Sequence, residues 1–511
     1  MADNKTFYSR DDIESAHQKL TRAKQFVHQG QATEAERIYR QLILDYPEYY
    51  SAHRAIAGLY IHQKKFYLAY QHLSVALGGD NTDYYSMLNM EALTIELDMI
   101  RTGLKLSEDI EHLGEKMGLK KHSDVHHFNK GSLLLKNHEY AKAIIEFKWC
   151  LKSKPLSVEP ALKLIKCYRD LGNYTAGLIV IEKFIKNKKV ESNQFIYALS
   201  DFPAKFIKKN VRRYLFVAEK ITPSNHEEKI GWTFSIAKLY HINGDYKKAW
   251  DKFCLANEMV KDDIKDKFQT NSQWEKEILS WAKNTDFKKT FFTENSSNTQ
   301  PLYILGPSRS GKTSLEKALG WIPGIRKGLE SKILSDSTAQ AFNVGNRLPS
   351  GYLPHLPDEL IPEFVNFYRS SYKENAQDSS IYTVTTPGLV TSVPSILSAL
   401  PNAKFIFMKR NVHDIALRMF FTHYSNANYH SYDYKWCLNY VEWYYKLVDV
   451  WQNKFPDKVI LIDYKTLVNN SAEQLKVILA FLEIEKPAPV DFGIPNDIGV
   501  SEPYLALIRG G

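Results

Sequence analysis

The chain has 511 residues, too many for one ordinary domain, and its 44% hydrophobic content excludes an intrinsically disordered protein. Lysine and arginine exceed aspartate and glutamate by 67 − 58 = 9. This excess is spread along the chain, so nucleic acid binding is not indicated. The four cysteines form no zinc pattern, and we expect reduced thiols and no metal. Without an apolar signal core or a long apolar segment, we expect a cytoplasmic protein with no membrane span.

Residues 12–265 contain a pattern that repeats every 34 residues in its adjacent copies. Three anchor positions recur, at Ala35, Tyr39 and Leu42; Ala69, Leu73 and Ala76; Ala143, Phe147 and Cys150; Gly177, Ile181 and Phe184; and Ala249, Phe253 and Ala256. A small residue lies twelve positions before the first anchor in most copies. The pattern resembles the tetratricopeptide repeat, in which stacked helix pairs form a solenoid. The resemblance implies an all-α domain that binds a protein or peptide.

The remaining chain has a different character. Residues 266–299 are predicted to be a helical connector followed by a polar linker. In residues 300–511, predicted strands at 302–305, 381–385, 403–410 and 459–463 alternate with helices, whereas 324–378 are predicted to be short helices and loops. This alternation predicts a parallel sheet covered on both faces. The predicted architecture is therefore multidomain, an all-α tetratricopeptide solenoid followed by an α/β domain with a P-loop-like parallel sheet.

The loop after the first of these strands, Gly306-Pro-Ser-Arg-Ser-Gly-Lys-Thr313, is predicted to bind an anion. A loop that leads into a helix offers unpaired N–H groups and the positive end of the helix dipole. Arg309 and Lys312 add positive charge. The loop satisfies the G-x-x-x-x-G-K-[ST] pattern of P-loop nucleotide triphosphatases at every fixed position. A triphosphatase or kinase is therefore one hypothesis, with VILID up to Asp463 as its Walker-B strand.

The same loop also resembles the phosphosulfate loop of sulfotransferases, through Gly306, Arg309, Ser310, Gly311, Thr313, Leu315 and Glu316. Two later segments extend the similarity. KRNVHDIALRMF resembles the family segment R-R-D-P-x-D-V-A-L-S-x-Y-F, and VILIDYKTL resembles the family strand that ends in a tyrosine. With the preceding repeats, this order resembles tetratricopeptide-repeat-containing sulfotransferases, whose catalytic domain is similar to tyrosyl-protein and heparan-type enzymes. We favour this family over the triphosphatase.

The resemblance implies transfer of a sulfuryl group from 3′-phosphoadenosine 5′-phosphosulfate (PAPS) to a hydroxyl of a protein tyrosine or a glycan, without a metal. The residues implied to bind PAPS are Gly306, Arg309, Ser310, Gly311, Lys312, Thr313, Ser314, Arg410, Arg418 and Tyr464. Arg410 would hold the 3′-phosphate, and Tyr464 would pack on the adenine. Arg309 and Lys312 are predicted to stabilise the leaving phosphate. Glu330 is the candidate base, with His413 and His430 as weaker candidates.

The sequence departs from the family pattern at two informative positions. Arg418 stands where the family has a serine, and Thr385 stands where it has a lysine near the transferred group. A third hypothesis is therefore a repeat scaffold with a decayed, non-catalytic sulfotransferase domain. The sequence identifies neither the acceptor, nor the ligand of the repeats, nor the oligomeric state.

Overall fold

The computed structural model describes residues 9–97, 99–119, 123–187, 193–287, 299–331, 333–334, 337–338, 341, 360–376, 378–424, 428–484 and 498–509. The chain divides into two compact units, Met1–Ile221 and Thr222–Gly511. Residues 12–265, for which the repeats are predicted, therefore begin in the first unit and end in the second.

The described part of the first unit is helical. Its helices are α1 (Arg10–His28), α2 (Ala32–Asp45), α3 (Tyr50–His62), α4 (Phe66–Gly79), α5 (Tyr84–Glu96), α6 (Ile100–Lys116), α7 (Asp124–Lys136), α8 (Tyr140–Ser153), α9 (Val158–Asp170), α10 (Tyr174–Ile185), α11 (Asn193–Ser200), α12 (Ala204–Ile207) and α13 (Val211–Ala218). Consecutive helices pack against each other, as in α1 with α2 and α3 with α4. This arrangement agrees with the predicted stack of helix pairs.

The repeat anchors explain this packing. Every anchor named above is buried, including those of the last copy. The small residues lie where helices approach closely. A Cβ atom added at Gly131 of α7 would lie 2.8 Å from Cε1 of Phe147 on α8, closer than such contacts normally occur. The repeat therefore alternates small residues at crossings with large residues that fill the space between helices.

The second unit begins with α14 (His226–Asn243) and α15 (Tyr246–Asn284), and α15 carries the anchors of the last repeat copy. With 39 residues, α15 continues well beyond the repeat pattern. Its last turns pack on the α/β domain through Ile278 and Ala282, both of which are buried.

Five parallel strands form the sheet of this unit: β1 (Gln300–Leu305), β2 (Ile325–Lys327), β3 (Ile381–Val384), β4 (Lys404–Lys409) and β5 (Val459–Asp463). Their order is β2-β3-β1-β4-β5. In the centre, Tyr303 pairs with Val384 on β3 and with Phe405 on β4. The four predicted strands are present. β2 was not predicted, because it has three residues and only Ile325 is apolar.

After β1, the described residues form the helices α16 (Lys312–Leu319), α17 (Ile361–Ala376), α18 (Val393–Ala399), α19 (Val412–Phe420), α20 (Tyr434–Lys454), α21 (Tyr464–Asn469), α22 (Ser471–Phe481) and α23 (Leu505–Arg509), and a 3-10 helix, Pro387–Ser392, precedes α18. Most of the predicted polar linker lies outside the described residues. α17 has 16 residues and is longer than the short helices predicted for 324–378.

Helices cover both faces of the sheet. Tyr303 and Leu305 point into a core with α15, α17, α18 and α20, and Leu302 and Ile304 point into a second core with α16 and α22. This alternation follows from the two-residue period of a strand. The predicted fold class is thereby confirmed. Among the described residues, no helix combines the length and the apolar character needed to cross a bilayer.

Candidate active site

A cavity of about 670 Å³ opens at the carboxyl ends of the strands. Its lining includes Ser308 after β1, Thr386 after β3, Arg410 after β4 and Tyr464 after β5. The strand order places β1 at the centre of the sheet. The chain continues from β1 to β2 at one edge, and from β4 to β5 at the other edge. Parallel sheets bind ligands at such a switch point. Of the residues predicted to bind PAPS, together with Glu330, all except Gly306 and Ser310 line this cavity.

The loop between β1 and α16 depends on its two glycines. Gly311 has φ +102°, and a Cβ atom there would lie 2.5 Å from Cδ2 of Tyr464. A Cβ atom at Gly306 would collide with Oγ of Ser310. Arg309 also has a positive φ, +71°. The loop therefore folds tightly over Tyr464 only because these glycines have no side chain.

Two polar residues of the loop, Ser310 and Lys312, are buried. Oγ of Ser310 is buried and has no hydrogen-bond partner among the described residues. Lys312 is 5% exposed, and its Nζ lies 3.6 Å from Oε1 of Glu330. Burial lowers the pKa of Lys312, while the Glu330 carboxylate opposes this and Arg309 reinforces it. A bound anion would stabilise the charged form of this lysine.

Arg410 directly follows β4 and contacts Tyr464, Asp414 and Tyr445. Its guanidinium carbon lies 4.3 Å from the centre of the Tyr464 ring, a cation–π distance. Its Nη2 lies 3.6 Å from Oδ2 of Asp414. The backbone N–H of Arg410 donates to the Tyr445 hydroxyl at 2.9 Å. Tyr464 itself is buried and is one of the residues that line the cavity.

Asp414 links this region to the C-terminal segment. It accepts hydrogen bonds from the backbone N–H groups of Gly499 and Ser501 at 3.0 and 2.9 Å, and from the Ser501 hydroxyl at 2.7 Å. Burial would raise the pKa of Asp414, but these bonds and Arg410 outweigh it, and the pKa is lowered. Arg418, one turn further along α19, also lines the cavity. The family's serine position is thus occupied by a third arginine at the site.

Hydrogen bonds to Glu316 and Thr385 fix the backbone next to Glu330. Leu329 has φ +54°, and its N–H donates to Oε1 of Glu316 at 3.0 Å. The Thr383 hydroxyl donates to the same oxygen at 2.6 Å. The N–H of Thr385 donates to the carbonyl of Leu329 at 2.8 Å. Glu316 is fully buried, and burial raises its pKa. Glu330 is therefore an exposed side chain on a well-anchored backbone.

Thr385 is the residue at the family's lysine position. Its side chain is buried, and its hydroxyl has no partner among the described residues. The neighbouring Thr386 lines the cavity and donates to the carbonyl of Ser331 at 3.0 Å. Position 385 thus supplies no positive charge. Among the described residues, Lys312 is the lysine that lines the cavity wall.

The two histidine candidates differ in position. His413 is exposed, its Nδ1 lies 2.7 Å from the Tyr434 hydroxyl, and it is not part of the described cavity wall. His430 is buried on that wall, with its ring stacked 3.7 Å from Tyr440. Burial lowers the pKa of His430 to about 3. Its Nε2 has no partner within the described part of the chain.

Sequence reasoning missed the contribution of α15, which places Asn271, Trp274 and Glu275 on the cavity wall. Glu275 accepts from the Asn271 amide at 2.6 Å, and burial raises its pKa to about 7. A signal did exist. Glu275, Ile278 and Ala282 share one face of the helix by their spacing, and the latter two are apolar.

Asp463, the Walker-B candidate, accepts hydrogen bonds from a residue three positions further along the chain. Its Oδ1 accepts from the N–H and the hydroxyl of Thr466 at 2.8 and 2.9 Å, which caps α21. The described cavity wall includes the adjacent Tyr464 but not Asp463. In the described residues, no three His, Cys, Asp or Glu side chains converge as metal ligands would.

Residues 301–488 match the model of the sulfotransferase family. An uncharacterized protein of Aquifex aeolicus is 23% identical over 266 residues, which are 49% of this chain and 34% of the relative. The chain thus spans about a third of the length of this curated relative.

Two solved structures were also compared. A tetratricopeptide repeat protein from Parabacteroides merdae is 18% identical, with a TM-score of 0.38, over 50% of this chain and 97% of its own. A sulfotransferase from Alicyclobacillus acidocaldarius is 14% identical, with a TM-score of 0.27, over 43% of this chain and 93% of its own. On the family match and the sheet described above, residues 301–488 form a sulfotransferase-family domain, and the stacked helices of the first unit precede it in the chain.

Proposed function

We propose that this protein transfers a sulfuryl group from PAPS to an acceptor hydroxyl, with residues 300–511 as its catalytic domain and the repeats as the binding site for a protein partner or acceptor. The observation that carries the proposal is the convergence of Arg309, Lys312, Arg410 and Arg418 on one cavity of a sulfotransferase-family domain. Four cationic side chains at one site fit a ligand with several phosphate and sulfate groups.

The loop fits such a ligand. Gly306 and Gly311 let the loop pack closely against Ser310 and Tyr464. The buried Ser310 hydroxyl lacks a partner in the described chain. PAPS, when bound, would supply the sulfuryl group and the leaving phosphate. The loop amides and the start of α16 would hold that phosphate. Arg410 and Arg418 would hold the 3′-phosphate, and Tyr464 would flank the adenine.

Charge stabilisation and proton transfer would be divided among the remaining residues. Arg309 and Lys312 would stabilise the negative charge that develops on the leaving phosphate, because both belong to the loop and line the cavity. Glu330 would accept the proton of the acceptor hydroxyl. Its carboxylate lies 3.6 Å from Lys312, so that both groups border the same part of the cavity.

Calorimetric titration with 3′-phosphoadenosine 5′-phosphate in EDTA tests the nucleotide site. We expect binding by the full chain, and weaker binding of ATP with magnesium. Arg410→Ala should reduce bisphosphate affinity by at least tenfold, which corresponds to about 1.4 kcal/mol. Lys409→Ala removes one charge from the exposed neighbour and is the matched control. Binding of magnesium-ATP alone would instead support the triphosphatase.

A further inference from the structure

One part of the cavity wall differs in chemistry from the phosphate-binding loop. α15 contributes Asn271, Trp274 and Glu275 to it, and α20 contributes Tyr440 and Trp443. The indole N–H of Trp443 donates to the carbonyl of Glu275 at 2.7 Å and fastens the two helices together. The rings of Tyr440 and Trp443 lie 5.6 Å apart. This wall is therefore aromatic, with a carboxyl group set into it.

The ionisable groups of this wall are poor carriers of charge at neutral pH. Glu275 is 8% exposed, and burial raises its pKa to about 7, so part of the molecules carry a protonated carboxyl group at neutral pH. His430, stacked on Tyr440, is neutral because burial lowers its pKa. A charged ligand group placed here would have to be desolvated without a strong counter-ion from these two residues.

We propose that Glu275, Trp274, Tyr440 and Trp443 form the acceptor subsite, and that this subsite takes an uncharged phenolic ring. The inference rests on the proposed function, since it assigns the acceptor side of the same cavity. Tryptophan and tyrosine rings bury a flat aromatic ring well. An anionic glycan is disfavoured, because its sulfate or carboxylate groups would meet a buried carboxyl group.

Glu275 would act as a hydrogen-bonding residue of this subsite. Its protonated carboxyl group would donate to the phenolic oxygen, which leaves the hydroxyl proton available to Glu330. The amide of glutamine can donate in the same way, whereas leucine cannot. Comparing Glu275→Gln with Glu275→Leu therefore separates the effect of the hydrogen bond from the effect of side-chain shape.

The test is a calorimetric titration of 2-naphthol into the full chain saturated with 3′-phosphoadenosine 5′-phosphate. We expect Glu275→Leu to weaken 2-naphthol binding about tenfold, as the loss of one buried hydrogen bond does. Glu275→Gln should stay within about twofold of the unsubstituted protein. Glu277→Leu, two residues further on the same helix at an exposed position, should change nothing.

Equal 2-naphthol affinity of the unsubstituted protein and Glu275→Leu would overturn the inference. Binding of a heparan-type oligosaccharide in place of 2-naphthol would also overturn it. A tyrosyl peptide distinguishes the sources of the phenol. Tighter binding of the peptide than of 2-naphthol supports a protein acceptor, and equal binding supports a small phenol.

If the bisphosphate binds but 2-naphthol does not, the inference fails and the proposed function stands. If 2-naphthol binds the nucleotide-free protein and the bisphosphate does not bind, the phenol-binding site stands and the proposed sulfuryl transfer from PAPS fails.

Discussion

The carboxylate of Glu316 holds Leu329 in place, accepting its backbone N–H at 3.0 Å. Glu316 lies on the helix that follows the anion loop, and Leu329 directly precedes Glu330. The same oxygen accepts from Thr383 on β3. A single buried side chain therefore connects the anion loop, a central strand and the backbone of the candidate base.

Glu316→Ala should impair catalysis without removing the nucleotide site. The substitution leaves the N–H of Leu329 without its buried acceptor, at a cost of about 1–3 kcal/mol. The Thr383 hydroxyl loses its nearer acceptor and keeps the carbonyl of Arg326 at 3.3 Å. We expect a lower melting temperature and a kcat reduced about tenfold, with bisphosphate affinity nearly unchanged. The exposed Glu473→Ala is the control for loss of a helical carboxylate. An unchanged kcat would show that Glu330 needs no such support.

Gly311→Ala should abolish nucleotide binding. Its Cβ atom would meet the Tyr464 ring at 2.5 Å while the backbone keeps a φ of +102°. Gly118→Ala is a matched control, because Gly118 also has a positive φ, +67°, but open space around it. The backbone conformation destabilises both variants by about 1 kcal/mol, and only Gly311→Ala is destabilised further by the clash. Equal melting temperatures and intact bisphosphate binding in both would contradict the packing described.

Arg410→Lys should resemble loss of the arginine rather than a conservative change. Lysine keeps the charge but lacks the planar fork that stacks on Tyr464 and can bind phosphate with two N–H groups. We expect bisphosphate affinity to fall about tenfold, against a change below twofold for Lys409→Arg. Titration calorimetry of both variants measures this. Retained affinity in Arg410→Lys would mean that the site needs only a point charge here.

The pKa of Glu275 predicts a pH-dependent stability. Its pKa is about 7 in the folded protein, against an ordinary value of 4.5. The protonated form is therefore favoured by folding, and its contribution is complete below about pH 4.5 and lost as the pH rises through about 7. The difference corresponds to roughly 3 kcal/mol at most. The melting temperature should fall between pH 5 and 8, and Glu275→Gln should reduce that fall. Parallel curves for both proteins would refute it.

Local patterns were sufficient to predict much of the domain. The apolar run before Gly306 predicted β1 and the loop after it, and the basic residues Lys409 and Arg410 marked the end of β4. The loop and the end of β4 lie at one cavity because the strands are parallel. The repeat anchors are buried because their small and large residues follow the helical period. Arg410 and Tyr464 were predicted on separate segments, and their contact depends on β4 and β5 being neighbours.

The contribution of Glu275 could not be predicted in the same way. It lies on a helix that the sequence indicated as a connector, 26 residues before the first residue of the family match. Its burial depends on Trp443, which is 168 residues away in the chain. Periodicity can assign Glu275 to a helix face, but it does not identify the element that covers that face. The role of Glu316 also depends on a distant partner, Thr383.

The central claim is sulfuryl transfer, and the most direct measurement follows a radiolabelled sulfuryl group from PAPS to phenolic, tyrosyl-peptide and glycan acceptors in EDTA. The account predicts metal-independent transfer by the full chain. It also predicts a loss of at least about a hundredfold when Arg309→Ala and Arg410→Ala are combined, because two charge-assisted contacts are removed. Full transfer by that double variant would contradict the assigned site. Bisphosphate binding without transfer to any acceptor would instead identify a scaffold with a non-catalytic domain.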